Sequence, residues 1–120
     1  MADLRLKTEK YTVAGREYTL ACNMNVLADV QEANDGDLAG VLSQKRSLKT
    51  ALELCAAMMN DCAEENGWPE RFTGKSLGRQ IAPKESAKFA EMVRELLYSA
   101  LVDDESEENE KSDEEAKKNA

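Results

Sequence analysis

The sequence predicts a mainly α fold of the α+β class, with an N-terminal β-hairpin packed on a bundle of about four helices. Polar and apolar residues alternate through residues 10–22, a segment rich in β-formers. Downstream, apolar residues recur at the three- and four-residue steps typical of amphipathic helices. Only six of the 120 residues are aromatic, so the core must be mostly Leu, Val, Ala and Met. Such a core suits helices better than a sandwich or barrel.

The hairpin is predicted around Ala14 and Gly15, where glycine can supply the positive φ of a tight turn. Leu4 and Leu6 continue the alternation upstream, so the first strand is expected to begin near Leu4. An isolated hairpin is only marginally stable in water, and we therefore expect it to lie against the helices. The apolar residues of its two strands are Tyr11, Val13, Tyr18 and Leu20.

Two helices are predicted between the hairpin and residue 42. Asn23 or Asn25 can cap the first, and residues 34–36, Asn-Asp-Gly, form its stop signal. A short helix over residues 37–42 follows. The residues expected to face inward are Val26, Leu27 and Val30 in the first helix, and Leu38, Val41 and Leu42 in the second.

Two longer helices and a short one are predicted in the second half of the domain. Ser47 is predicted to cap the first long helix, and Asn66-Gly67 to end it. A short helix containing Leu77 and Ile81 is predicted to start near Thr73. Pro83 is expected as the first residue of the last helix. The apolar face of the first long helix is predicted to comprise Leu48, Ala51, Leu52, Cys55, Met58, Met59 and Cys62. That of the last helix is predicted to comprise Ala87, Phe89, Ala90, Met92, Val93, Leu96, Leu97, Ala100 and Leu101.

Charge divides the chain into a folded domain, residues 1–102, and an acidic tail, residues 103–120. The tail holds nine acidic residues and three lysines, so it carries −6 of the net charge of −8. Its only apolar residues are Ala116 and Ala120, too few to offset the entropy of ordering, and we expect it to be disordered. The domain is nearly neutral and has no basic stripe, which argues against nucleic acid as a partner.

Residue types argue against catalysis and against a bound cofactor or metal. The chain has no histidine, which removes the commonest general base and metal ligand. Its three cysteines lack a close pair for zinc, and Cys55 and Cys62, on one helix face, are interpreted as small buried hydrophobes in a reducing cytoplasm. No segment reaches transmembrane length. We therefore expect a binding protein that is not an enzyme and that contacts no membrane.

Three aromatic residues are candidates for partner binding: Trp68, Phe72 and Tyr98. Trp68 and Phe72 lie in a short segment between helices, where they either close the end of the helical core or anchor an interface. Tyr98, late in the last helix, has the same two interpretations.

The order of elements resembles that of a known family. The hairpin YTVAGREYTL, residues 11–20, leads into the Asn-started helix NVLADVQEA, residues 25–33, which ends at Asp35-Gly36 and precedes a long helix and a final helix. Over about residues 8–102 this is similar to the tail assembly chaperones of long-tailed, siphovirus-type bacteriophages and prophages. The resemblance implies a non-structural protein in the cytoplasm of the bacterial host, absent from the mature virion. Its implied client is the tape-measure protein, with the tail tube protein as a second candidate, and it brings no catalytic residues.

Two other functions remain open at this point. An acidic nucleic-acid mimic that inhibits a DNA-binding protein would need negative charge over its folded surface, and residues 1–102 are nearly balanced. A structural tail-completion protein would be found in purified virions. The sequence also leaves the oligomeric state open, including a homo-oligomer.

Overall fold

A computed structural model describes residues 6–44 and 47–102, and it confirms the predicted fold class. The hairpin consists of β1 (Glu9–Val13) and β2 (Arg16–Leu20), paired antiparallel with Tyr11 opposite Tyr18. Ala14 and Gly15 form the turn with φ of 53° and 80°, the positive values of a two-residue type I′ turn. The side chains of β2 that point toward the helices, Tyr18 and Leu20, are buried.

The first two helices are α1 (Met24–Ala33) and α2 (Leu38–Ser43). Asn23, and not Asn25, caps α1, since its side chain accepts a hydrogen bond from the amide of Val26 at 3.0 Å. Asp37 caps α2 by accepting from the amide of Gly40 at 2.9 Å. Between them the chain turns through Asp35 and Gly36, both at positive φ, as the stop signal predicted.

The long helix α3 (Leu48–Asn66) is the centre of the fold. Ser47 caps it and Gly67, at φ 74°, ends it in the left-handed conformation, as predicted. β2, α1, the short helix α4 (Gly74–Gly78) and the last helix α5 (Ser86–Leu101) all pack on α3. Most residues from Thr50 to Ala63 are accordingly buried.

Two boundaries in the second half differ from the sequence prediction. Pro83 opens a 3-10 turn, Pro83–Glu85, and α5 begins only at Ser86. Proline is still well suited to the first position of this turn, because an N–H group there would have no partner within the helix and its absence costs nothing. Ile81 lies beyond the end of α4 at Gly78, where it is half-buried, whereas Leu77 within α4 is fully buried.

Three residues predicted on inward faces are exposed: Ala87, and the leucines Leu48 and Leu101, which are each 51% exposed. Leu48 begins α3 and Leu101 ends α5, while the buried residues of these helices start at Thr50 and stop at Leu97. The terminal turns of both helices therefore lie outside the part of each helix that its neighbours cover.

The strand start predicted near Leu4 is wrong, because β1 begins only at Glu9 and residues 6–8 are not in a strand. Glu9 already pairs with Leu20, the last residue of β2, so the residues before it have no strand beside them. The predicted disordered tail, residues 103–120, falls outside the described residues. Within residues 6–44 and 47–102, no helix combines the length and apolar character needed to cross a membrane.

Candidate functional site

The end of α3 determines where Trp68 lies. Because Gly67 adopts the left-handed conformation, the chain reverses and the amide of Trp68 donates to the carbonyl oxygen of Ala63 at 2.8 Å. This six-to-one hydrogen bond is the signature of a Schellman motif, in which the residue after the glycine folds back on the helix. Trp68 is thus held against the C-terminal end of α3.

Trp68 and Phe72, two of the three predicted candidates, meet at one place in the fold. The Trp68 ring lies edge-on to Tyr18, with centroids 5.5 Å apart, and the Phe72 ring does the same at 6.0 Å. We call these three residues the aromatic corner. Tyr18 is buried, and the other two are half-buried against the core. Edge-to-face contacts of this kind stabilise beyond the area they bury.

Asn60 on α3 fixes the backbone of the aromatic corner. Its side-chain nitrogen donates to the carbonyl oxygen of Phe72 at 2.8 Å, and its side-chain oxygen accepts from the amide of Phe72 at 2.7 Å. Both polar groups of one residue in an irregular segment are therefore satisfied by a single side chain. The spacing of apolar residues along α3 does not indicate this contact, because Asn60 occupies an ordinary polar position in that pattern.

Arg16 covers the outer face of Trp68. Its guanidinium carbon lies 4.2 Å from the ring centroid, a cation–π distance, and its Nη1 pairs with Oε1 of Glu70 at 2.8 Å. The pKa of Glu70 is lowered, first by a hydrogen bond from its own backbone amide and then by Arg16. The pair joins the hairpin to the 68–72 segment at the surface, where such pairs contribute little to stability.

Tyr98 is not part of the aromatic corner. It lies near the C-terminal end of α5, 48% exposed, and Leu101, 51% exposed, follows three residues later on the same side of the helix. The sequence prediction that Trp68, Phe72 and Tyr98 contact a partner stays a prediction.

Cys55 and Cys62 are buried thiols, as predicted, and Cys22 is buried as well. Cys22, Cys55 and Cys62 are all free and buried. Burial raises the pKa of Cys22 to about 11 and that of Cys55 to about 12, so both thiols are protonated and weakly nucleophilic near neutral pH. Over residues 6–44 and 47–102, no group of three or more Cys, Asp or Glu side chains is placed to hold a metal ion.

A groove between β1 and α5 is the surface feature that sequence reasoning missed. It has a volume of about 500 Å³. Tyr11 and Phe89 meet across it with ring centroids 6.1 Å apart, and Ile81 and Met92 add apolar walls. Its two sides come from residues 9–14 and 80–95, so no local pattern could have indicated it.

No protein-family model, curated protein or solved structure matches the chain.

Proposed function

We propose that the protein is a tail assembly chaperone of a long-tailed bacteriophage or prophage. It binds the tape-measure protein, and the tail tube protein as a second client, in the cytoplasm of the bacterial host. It acts by binding alone and is left out of the finished virion.

The observation that supports this proposal most is the order of the elements. A tight hairpin ends at Leu20, an Asn23-capped helix follows and stops at Gly36, and a long central helix and a last helix complete the domain. This is the layout on which the resemblance to the chaperone family rests.

Exposed apolar side chains give the domain a means of contacting an apolar client. Met24 is 79% exposed, and Leu48, Tyr98 and Leu101 are each about half exposed, at the ends of three different helices. A tape-measure protein is long, helical and apolar, and it needs a partner that masks its surface until the tube polymerises. The acidic tail, which carries −6 of the net charge, would help to keep such a complex soluble.

Co-expression with the tape-measure and tube proteins of the same gene cluster tests the proposal. We expect the chain to raise the soluble fraction of at least one of them and to co-purify with it. A chain lacking residues 103–120 should retain co-purification, because client binding is assigned to the domain. An unrelated acidic protein of similar size serves as the control for nonspecific solubilisation.

Two results would overturn the proposal. One is that neither client co-purifies nor gains solubility. The other is that stoichiometric amounts of the chain are present in purified virions, which would indicate a structural tail-completion protein instead.

A further inference from the structure

The outer edge of β1 carries backbone groups that the hairpin does not use. In a two-residue hairpin, the residues that flank the turn exchange both hydrogen bonds, and bonded pairs then alternate with non-bonded ones. The register places Val13 opposite Arg16 and Tyr11 opposite Tyr18, so these pairs are bonded. The amide and carbonyl groups of Lys10 and Thr12 therefore point away from β2. Among the described residues, no backbone hydrogen bond outside the hairpin involves either of them.

This edge borders the groove between β1 and α5. Residues 11–14 line one side of the groove in succession, and α5 lines the other through Phe89 and Met92. A strand beside β1 would lie about 5 Å from it, and its inward side chains would meet Phe89, Met92 and Ile81. An extended peptide between a strand edge and a helix is a recurring mode of protein recognition.

The rim of the groove is acidic. Four carboxylates line it, from Glu9, Glu85, Glu91 and Glu95, against one ammonium group, that of Lys88. Glu95 pairs with Lys7 at 3.1 Å, which leaves the other three carboxylates facing a single lysine. The rim therefore favours a cationic occupant.

We propose that the groove binds an extended segment of a partner protein, which adds to β1 as a third strand. The segment has apolar residues at its central inward positions and Lys or Arg at the flanking inward positions. The apolar residues pack on Phe89 and Met92, and the basic residues pair with Glu85 and Glu91. The backbone of the segment hydrogen-bonds to Lys10 and Thr12.

Charge argues against the two occupants that this chain could itself supply. Residues 103–120 carry a net charge of −6 and would meet a rim of the same sign. A second copy joined through β1 would bring two acidic rims together, and juxtaposed like charges oppose association.

The binding mode could serve the proposed chaperone function, yet its test does not depend on that function. It uses a synthetic peptide, so its failure leaves the co-expression result standing, and the reverse also holds. The peptide is acetyl-Lys-Thr-Val-Thr-Val-Thr-Lys-amide, whose inward positions carry Val in the middle and Lys at both ends. Its ends are about 20 Å apart when extended, whereas Glu85 and Glu91 are about 9 Å apart along the helix axis. Each terminal lysine therefore lies beyond the carboxylate that it is proposed to pair with, and its long side chain reaches back to it.

Binding is measured on the full chain by fluorescence anisotropy and by amide hydrogen exchange. We expect saturable binding in which the amides of Lys10 and Thr12 become protected from exchange. A peptide with Glu in place of both Lys residues should bind about tenfold more weakly, because two charge pairs become repulsive.

Two prolines placed on opposite edges of the hairpin provide a matched pair of variants. Thr12→Pro removes an outward amide on β1, and Thr19→Pro removes the equivalent amide on β2; both residues are exposed and neither amide belongs to a bonded pair. Proline is tolerated at such edge positions. Thr12→Pro should weaken peptide binding about tenfold, from one lost hydrogen bond and the steric bulk of the ring, and Thr19→Pro less than about twofold.

A charge-reversal pair keeps the test valid if Thr12→Pro fails to fold. Glu85→Lys with Glu91→Lys should weaken binding of the lysine peptide, whereas Glu64→Lys with Glu65→Lys, exposed on α3 and outside the groove, should not. The proposal is overturned by binding without protection of Lys10 and Thr12, by equal effects of the paired variants, or by no binding at millimolar peptide. It is also overturned if these amides are already protected in the free protein, since the tail or a second copy would then occupy the edge.

Discussion

Replacing Asn60 with alanine should detach the aromatic corner from α3. The side chain makes two short hydrogen bonds to the backbone of Phe72, and each is worth about 1 kcal/mol net. Their loss also leaves a half-buried amide and carbonyl without their protein partner, which raises the expected destabilisation to about 2–3 kcal/mol. Asn60→Asp retains an acceptor for the amide of Phe72 but repels the carbonyl oxygen of Phe72, and we expect a destabilisation between zero and that of Asn60→Ala.

Urea unfolding followed by two signals tests this expectation. Trp68 is the only tryptophan, so its fluorescence reports on the aromatic corner, while far-ultraviolet circular dichroism reports on the helices. In Asn60→Ala, the fluorescence transition should move to lower urea and the native emission should shift to the red. Asn66→Ala is the matched control: its side chain bonds only locally, to Cys62 within the same helix, and should cost no more than about 0.5 kcal/mol. A change below about 0.5 kcal/mol in Asn60→Ala, with unshifted emission, would refute the reasoning.

Three further perturbations follow from the described geometry. Ala14→Asn should stabilise the protein by about 0.5–1 kcal/mol in thermal unfolding, because Ala14 has a φ of 53° that asparagine tolerates better; equal or lower stability would contradict this. Asn23→Ala removes both the cap of α1 and a 2.8 Å hydrogen bond to Asp61 and should cost about 1–2 kcal/mol in urea, whereas Asn25→Ala should be nearly neutral. Burial raises the pKa of Cys55 from 9.0 to about 12. The contribution of this thiol to the free energy of unfolding should therefore be complete below pH 9 and decrease between pH 9 and 12. Urea titrations across that range should show a weaker dependence of the free energy of unfolding on pH in Cys55→Val than in the unmodified protein.

The sequence predicted well those features that depend on neighbouring residues. The hairpin turn at Ala14 and Gly15, the cap at Ser47 and the stop at Gly67 all follow from local backbone chemistry, and the structure confirms them. Periodicity does not predict the burial of Leu54, Ala56, Ala57 and Ala63 in α3, but it does predict that of Ala51, Cys55, Met58, Met59 and Cys62. Such features need no knowledge of how distant segments meet.

Features that depend on distant segments were missed or misjudged. Periodicity placed Leu48 and Leu101 inward because it cannot tell where the neighbouring elements end. The groove joins residues far apart in the chain, and the contact between Asn60 and Phe72 joins a helix to an irregular segment. Predicting these features requires the docked arrangement of the elements, which the one-dimensional pattern does not contain.

The central position of α3 has a consequence for how the domain opens. β2, α1, α4 and α5 all pack on this one helix. The free energy of local opening should therefore be highest in α3, whose amides are expected to exchange with solvent only on global unfolding, and lower in the elements that surround it. A surrounding element such as the hairpin can then open and re-form while α3 stays folded. The hairpin can adjust to a bound segment by breaking only its own contacts.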